Sequence, residues 1–166
     1  MITFFLMVNK QGKTRISKYY NGIALADRPA LEKAAFTLAH TRDPKFSNFC
    51  PLSLAPDYDG GDGIMLIYHR YVGLYVMMGI EEGDNMIMAH EGIHLFVEML
   101  DMYFGCVREL DIIYHFQSVY NLLDEYICAG HIIETSKEHI MRRMEELEIA
   151  QGLRKKKKKS IFSRSR

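Results

Sequence analysis

Apolar residues fall along this chain in two rhythms. One marks strands and the other helices. Residues 2–8, ITFFLMV, are apolar at both alternating positions, which predicts a central strand covered on both sides. Gln11 and Gly12 supply a turn, and residues 13–20 alternate more weakly as a hairpin partner. Residues 46–50 read as a short strand, and 64–71 and 74–80 as two strong ones joined at Val72-Gly73. Helical spacing first appears after Asp27, read as an N-cap, with Pro29 in the first turn where its missing N–H does no harm. Leu31, Ala35 and Leu38 form the apolar side of that helix, which ends near Arg42-Asp43-Pro44.

The second rhythm dominates the rest of the chain. Over residues 85–105 a long helix places Met86, Ala89, Ile93, Phe96, Val97, Leu100, Tyr103 and Phe104 on one broad arc. Leu95, Met99 and Met102 widen that arc past a simple amphipathic stripe, leaving His90, Glu91, His94, Glu98 and Asp101 on a thin polar face. A helix this apolar buries two sides, one on its own sheet and one on a neighbour, and suggests a subunit of something larger. A second long helix is predicted over 108–129 through Leu110, Ile113, Phe116, Val119, Tyr120, Leu123 and Ile127, with Gly130 as its C′ residue. Thr135 and Glu138 read as a capping box opening a third helix to about residue 151. Residues 51–63, with two prolines, three glycines and three aspartates, read as an exposed loop. The order β-β-α-β-β-β-α-α-α predicts an α/β (α+β) domain: a five-stranded, mainly antiparallel sheet with helices on both faces.

Charge divides the chain into a folded body, residues 1–150, and a tail, 151–166. The tail takes eight of the 21 basic residues and none of the 21 acidic ones, so the body carries 13 basic against 21 acidic residues, a net of −8. A basic run on an acidic body predicts a disordered tail that behaves separately. Its five lysines, 155–159, also fit an anionic membrane surface, nucleic acid or a nuclear import signal. The acidic body has no basic patch interleaved with aromatics, so nucleic-acid binding is not expected. Cys50, Cys106 and Cys128 are widely spaced free thiols, the pattern of a reducing compartment. The apolar run 2–8 is too short for a membrane span and lacks a signal peptide's basic n-region, so a cytosolic protein is expected.

One stretch carries a chemical motif. Residues 90–94, HEGIH, fit H-E-x-x-H, in which two histidines four apart on a helix chelate zinc and the intervening Glu acts as general base. A zinc-dependent hydrolase using His90, Glu91 and His94 is one reading. The motif has only three fixed positions, and no longer zinc-peptidase signature follows, Val97 standing seven residues after His90. The bland reading is a solvated helix face with pairs such as His94–Glu98. No Ser-His-Asp or Cys-His arrangement is evident from spacing, and glycines 60, 61 and 63 lack the context of a phosphate loop. The residues call for no cofactor.

Several stretches resemble a known family. MITFFLMVNKQGKTRISKYY at the N-terminus, IYHRYVGLY (67–75), IHLFVEMLDMYFG (93–105) and VRELDIIYHFQSVYNLLDEYICAGHIIETS (107–136) look like the small (sigma) subunits of heterotetrameric clathrin-type adaptor complexes. The first twenty residues are most like the sigma subunit of adaptor protein complex 4. The resemblance covers nearly all of residues 1–150 and implies a longin-like fold and a non-enzymatic role in vesicle-coat assembly. The implied partners are a large adaptin and the other subunits of the complex. The implied place is peripheral, on cytosolic faces of trans-Golgi network or endosomal membranes. In several such complexes the sigma subunit helps bind acidic dileucine signals, [D/E]xxxL[L/I], in membrane-cargo tails. Carried over, the resemblance makes Arg15 the partner of the acidic group, and Val72, Leu74, Val97, Val107 and Ile112 the lining of leucine pockets. Two positions depart from it: Val72 stands where a smaller alanine is common, and Cys106 where dileucine-binding relatives often have asparagine. Relatives also carry Glu and His at the positions of Glu91 and His94, which favours the bland reading of HEGIH. A coatomer small subunit or another longin-type trafficking scaffold is the alternative within the same architecture.

Overall fold

The pairing of the apolar strands builds the molecule outward from its N-terminus. The computed structural model describes residues 1–20, 22–52, 63–71 and 73–152. The expected loop at 51–63 and the basic tail lie almost wholly outside the described residues, as does Val72. In chain order the elements are β1 (Ile2–Asn9), β2 (Thr14–Tyr19), α1 (Arg28–Thr41), β3 (Phe49–Pro51), β4 (Ile64–Arg70), β5 (Leu74–Glu81), α2 (Met86–Phe104), α3 (Glu109–Tyr114), α4 (Phe116–Tyr126), β6 (Ile127–Cys128), β7 (His131–Ile132) and α5 (Lys137–Ala150). The main sheet runs β2-β1-β5-β4-β3, every pairing antiparallel. This is the expected α+β, longin-like architecture.

β1 is an interior strand with every residue buried, and the period of two divides it between two cores. Phe4, Leu6 and Val8 face α1, where Leu31, Ala35 and Ala39 close the layer. Phe5 and Met7 face α2 and α4, and Ile2 joins them because a register irregularity between Ile2 and Phe4 resets the alternation. Gly79 of β5 is opposite Phe4, and a Cβ there would sit 2.2 Å from the Phe4 ring, so the ring occupies the space a side chain would need. The edge strand β2 is covered by α4: the Tyr120 hydroxyl accepts from the Ser17 N–H at 3.2 Å and donates to the Ser17 carbonyl at 3.1 Å.

α2 starts at Asn85, whose side chain accepts from the N–H groups of Ile87 and Met88, and stops at Gly105 in the left-handed conformation. Its second apolar side meets this chain's own α4 and α5 rather than being left for a partner. Phe96 packs edge-on against Phe5 of the sheet and stacks on Tyr126 of α4. Apolar exposure on α2 is confined to its ends, Met86, Ile87 and Met88 at one and Met102 at the other.

Four expectations need correction. The helix expected over 108–129 is two helices, broken at His115, where φ −119° and ψ 32° leave the helical region. The break changes the face: Ile112, Val119, Leu122, Leu123 and Tyr126 are buried, whereas Leu110, Ile113 and Phe116, taken as inward, are exposed. Gly130 is not a helix C′ residue. With Ala129 it makes the two-residue turn of the β6–β7 hairpin, both at positive φ (48° and 79°). The α5 cap is Ser136, whose hydroxyl accepts from the His139 N–H, one residue beyond the expected Thr135. Asp27 holds the N-cap position of α1 without a capping hydrogen bond from its side chain.

Candidate functional site

The C-terminal end of α2 is where the sequence-derived positions converge. Gly105 ends the helix and Asp101 holds the exit. The Asp101 carbonyl accepts from the N–H groups of Gly105 (2.8 Å) and Cys106 (3.3 Å), and its carboxylate accepts from the Val107 N–H at 2.8 Å. The chain passes this corner with Cys106 at φ 105°, a conformation that a residue with a Cβ adopts only under strain. It then enters α3 at Glu109. Between the start of β5, the last turns of α2 and this connection lies a cavity of about 490 Å³. Leu74, Val97 and Val107 line it, together with Met7, Leu100 and Cys106.

Three of the residues carried over from the resemblance therefore share one apolar cavity. Ile112 is fully buried in the adjoining core and is not among the lining residues. Tyr71 also lines the cavity, and its hydroxyl has no hydrogen-bond partner among the described residues. Burial first, and then the charges of Asp101 and Glu98, push that phenol up to about 12, so it stays a donor at neutral pH.

Arg15 is not among the lining residues; it is joined to the cavity through Glu109 and is not a bare cation. Its Nε and Nη2 both donate to Glu109 Oε1, at 2.9 and 2.7 Å, and Asn9 Nδ2 donates to the same oxygen at 3.1 Å. Glu109 itself lines the cavity. The hydrogen bonds from Arg15 and then Asn9 hold its carboxyl below the usual carboxylate range. A second cation at the cavity, Arg108, faces Asp111 at 3.3 Å and is mostly exposed. The sequence alone assigns Glu109 no role. Its partner lies 94 residues away on β2, and nothing local points to it.

The motif at 90–94 is differently placed. His90 Nδ1 lies 3.3 Å from Glu91 Oε1, and His94 Nε2 lies 3.5 Å from Glu98 Oε1, the expected i,i+4 pair. Glu98 is shared with Lys137 Nζ of α5 at 2.6 Å. His69 of β4 lies against His90 with the rings tilted and their centroids 4.0 Å apart, and is 6.4 Å from His94. Burial, and then the two neighbouring histidines, lower the His69 pKa. Among the described residues no three His, Cys, Asp or Glu side chains come together as a ligand set, so nothing adds the third ligand a zinc site requires. The residue of this motif with the tightest surroundings is Gly92: its carbonyl accepts from the buried Tyr126 hydroxyl at 3.0 Å, and a Cβ on it would lie 2.9 Å from Ile132 Cδ1.

Comparisons with known proteins give the family. The family described as clathrin adaptor complex small chain matches residues 1–151. The AP-2 complex subunit sigma of Dictyostelium discoideum is 38% identical over 148 residues, covering 89% of this chain and 98% of the relative. The AP-1 complex subunit sigma-1 of Schizosaccharomyces pombe is 39% identical over 84% of this chain and 81% of its own length. The AP-4 complex subunit sigma-1 of Homo sapiens is 38% identical over 85% and 92%. Such even identities do not separate one complex type from another. In structure, a chain of a full-length AP-3 complex homology model in a stretched open conformation superposes with a TM-score of 0.70 at 29% identity, covering 92% of this chain and 96% of that one. The chain belongs to the clathrin adaptor complex small chain family.

Proposed function

We propose that this chain is the sigma subunit of a heterotetrameric adaptor complex, a non-enzymatic coat component that packs on a large adaptin and helps bind acidic dileucine signals of membrane cargo. The observation that carries the cargo reading is the cavity at the end of α2. Its walls, Leu74, Val97, Val107, Met7 and Leu100, offer the dry apolar volume that a leucine pair requires. Arg15, hydrogen-bonded to the lining residue Glu109, supports the reading as the cation for the acid upstream in the signal. Arg15 Nη1 has no partner among the described residues and is the edge a ligand could take.

For the partner subunit, α3 and its flank supply an apolar surface. Leu110, Ile113, Tyr114 and Phe116 are all exposed within seven residues, more than a lone domain leaves to water in so short a stretch. The likeness of the first twenty residues favours complex 4, acting at trans-Golgi network or endosomal membranes as a cytosolic peripheral coat. Among the described residues no helix is long and apolar enough to cross a membrane, which accords with attachment through the complex.

The test is a titration of the assembled complex with a dileucine cargo peptide. Val107→Glu places a charge in the half-buried cavity wall and is expected to weaken binding at least about tenfold. Replacing the two leucines of the peptide by serine should do the same. Unchanged affinity in both arms would end the cargo reading. Recovery of a complex with large adaptins other than those of complex 4 would move the assignment to another complex.

A further inference from the structure

We propose that the basic tail docks on its own body: residues 155–162, which lie outside the described residues, seat in a groove between α2, α4 and α5, with the lysines against Glu145 and Glu148 and the Ile161-Phe162 pair on the apolar floor. The groove has a volume of about 690 Å³ and shares no lining residue with the cavity at the end of α2. Met102, Phe104 and Met141 make its floor, and Met102 is exposed there. Methionine side chains mould readily to an incoming aliphatic or aromatic group. Glu145 and Glu148 of α5 form the rim. Glu148 accepts from the Tyr103 hydroxyl, which holds its carboxylate beside the floor.

Charge, exit direction and reach all favour the tail as the occupant. Residues 144–150 hold Glu145, Glu146 and Glu148 and no basic residue, at the helix end where the backbone dipole is already negative. Cations are favoured there, and the five lysines begin three residues past Gly152. The chain leaves α5 by a sharp turn. The Gln151 N–H donates to the Leu147 carbonyl at 2.9 Å, and Gly152 follows at φ 73°, a left-handed residue that carries the chain off the helix axis. Met141 lies eleven residues before Gly152, about 16 Å along the helix, and Ile161 lies nine residues after it, within a span of up to about 30 Å. The lysines therefore pass the glutamate rim as Ile161 and Phe162 reach the floor. A docked tail also withholds its lysines from an anionic membrane surface.

The full-length chain is prepared with photoreactive p-benzoylphenylalanine in place of Phe162, irradiated, and its products mapped by mass spectrometry. The expected product is monomeric and joins position 162 to Met102 or Met141. Its yield should fall at least about threefold when lysines 155–159 are replaced by glutamine, and likewise in about 1 M salt, which screens charges beyond about 3 Å. Glu145→Gln with Glu148→Gln should also lower it at least about threefold, whereas Glu146→Gln, which removes a charge outside the groove, should leave it nearly unchanged. The lysine replacements lie beyond the folded body, so that arm stands even where a groove variant fails to fold. Sedimentation with phosphatidylserine vesicles gives a second reading: Glu145→Gln with Glu148→Gln should bind more than Glu146→Gln does, and the gain should vanish once the lysines are replaced. A dimeric product overturns the proposal in favour of a second copy. Cross-links confined to sites outside the groove overturn it, as does a groove product whose yield ignores both the lysines and the two glutamates. Vesicle binding as strong in the wild type as in the double glutamate variant shows lysines already given to the membrane, and overturns it too.

Discussion

The two halves of α2 teach opposite lessons about motifs. The N-terminal half carries HEGIH, the only stretch whose spacing matches a catalytic pattern, yet its histidines spend their contacts on neighbouring surface acids and on His69. The C-terminal half carries no motif. There Val97 and Leu100 meet residues from β1, β5 and the α2–α3 connection around a cavity whose charged edge is a designed ion pair. A motif records spacing along one element. A site of this kind needs side chains from several elements, and only the fold brings them together.

The sharpest way to break the comparison is to substitute within the motif. Gly92 stands between the motif's Glu and second His, and its importance is packing. A Val there drives methyls into Ile132 and Tyr126, and overpacking of this sort costs about 1–3 kcal/mol, with the Gly92 carbonyl bond to Tyr126 displaced as well. Chemical denaturation of the purified chain should show the unfolding free energy fall by that amount, with a lower midpoint. A midpoint within error of wild type would mean that α4 and the β6–β7 hairpin do not hold α2 as described.

At the other end of α2 the expected sign reverses. Cys106 holds φ 105° at the cavity corner, and its thiol is free and exposed. Cys106→Gly should stabilise the chain by about 1 kcal/mol, because glycine adopts that conformation freely, less the entropy it adds to the unfolded state. Loss of stability instead would show that the thiol contributes packing that outweighs the strain.

What the sequence made legible follows from which interactions are local. Strand β1 was readable because both of its faces are buried, which leaves an unbroken apolar run. α2 was readable because Asn85 and Gly105 cap it in the usual way. The break at His115 was not, since neither glycine nor proline marks it. What bends the chain is the need to bury Ile112 and Val119 in the same core from two differently directed helices. The Thr135/Ser136 ambiguity is of the same kind: adjacent hydroxyls both suit an N-cap, and Glu134, which accepts from the N–H groups of both, favours the later start. In the site, Leu74, Val97 and Val107 were reached only through family resemblance, and Glu109 was reached by nothing, because its meaning depends on a β2 partner far away in sequence.

The smallest expected effect concerns the histidines, and it separates the two halves of α2 most cleanly. His94→Ala removes a surface pair on a solvated helix face and should leave stability nearly unchanged, whereas half-buried His90 also packs on His69 and Phe49, so His90→Ala should cost somewhat more. Cargo binding should be unaffected by either, and by chelator treatment. The acid side carries more information. Burial lowers the His69 pKa in the folded chain, with His90 and His94 adding to the effect and Glu91 opposing it. A histidine held below its unfolded value binds fewer protons folded than unfolded, so stability falls as pH drops through the unfolded value near 6.5 toward the folded one. His69→Gln should flatten that part of the stability profile, and His90→Ala should flatten it partially by removing one repelling neighbour. An acid slope unchanged in His69→Gln would place the titrating group elsewhere. A loss of cargo binding on chelation, reproduced by His90→Ala, would return chemistry to the half of α2 that the geometry leaves without it.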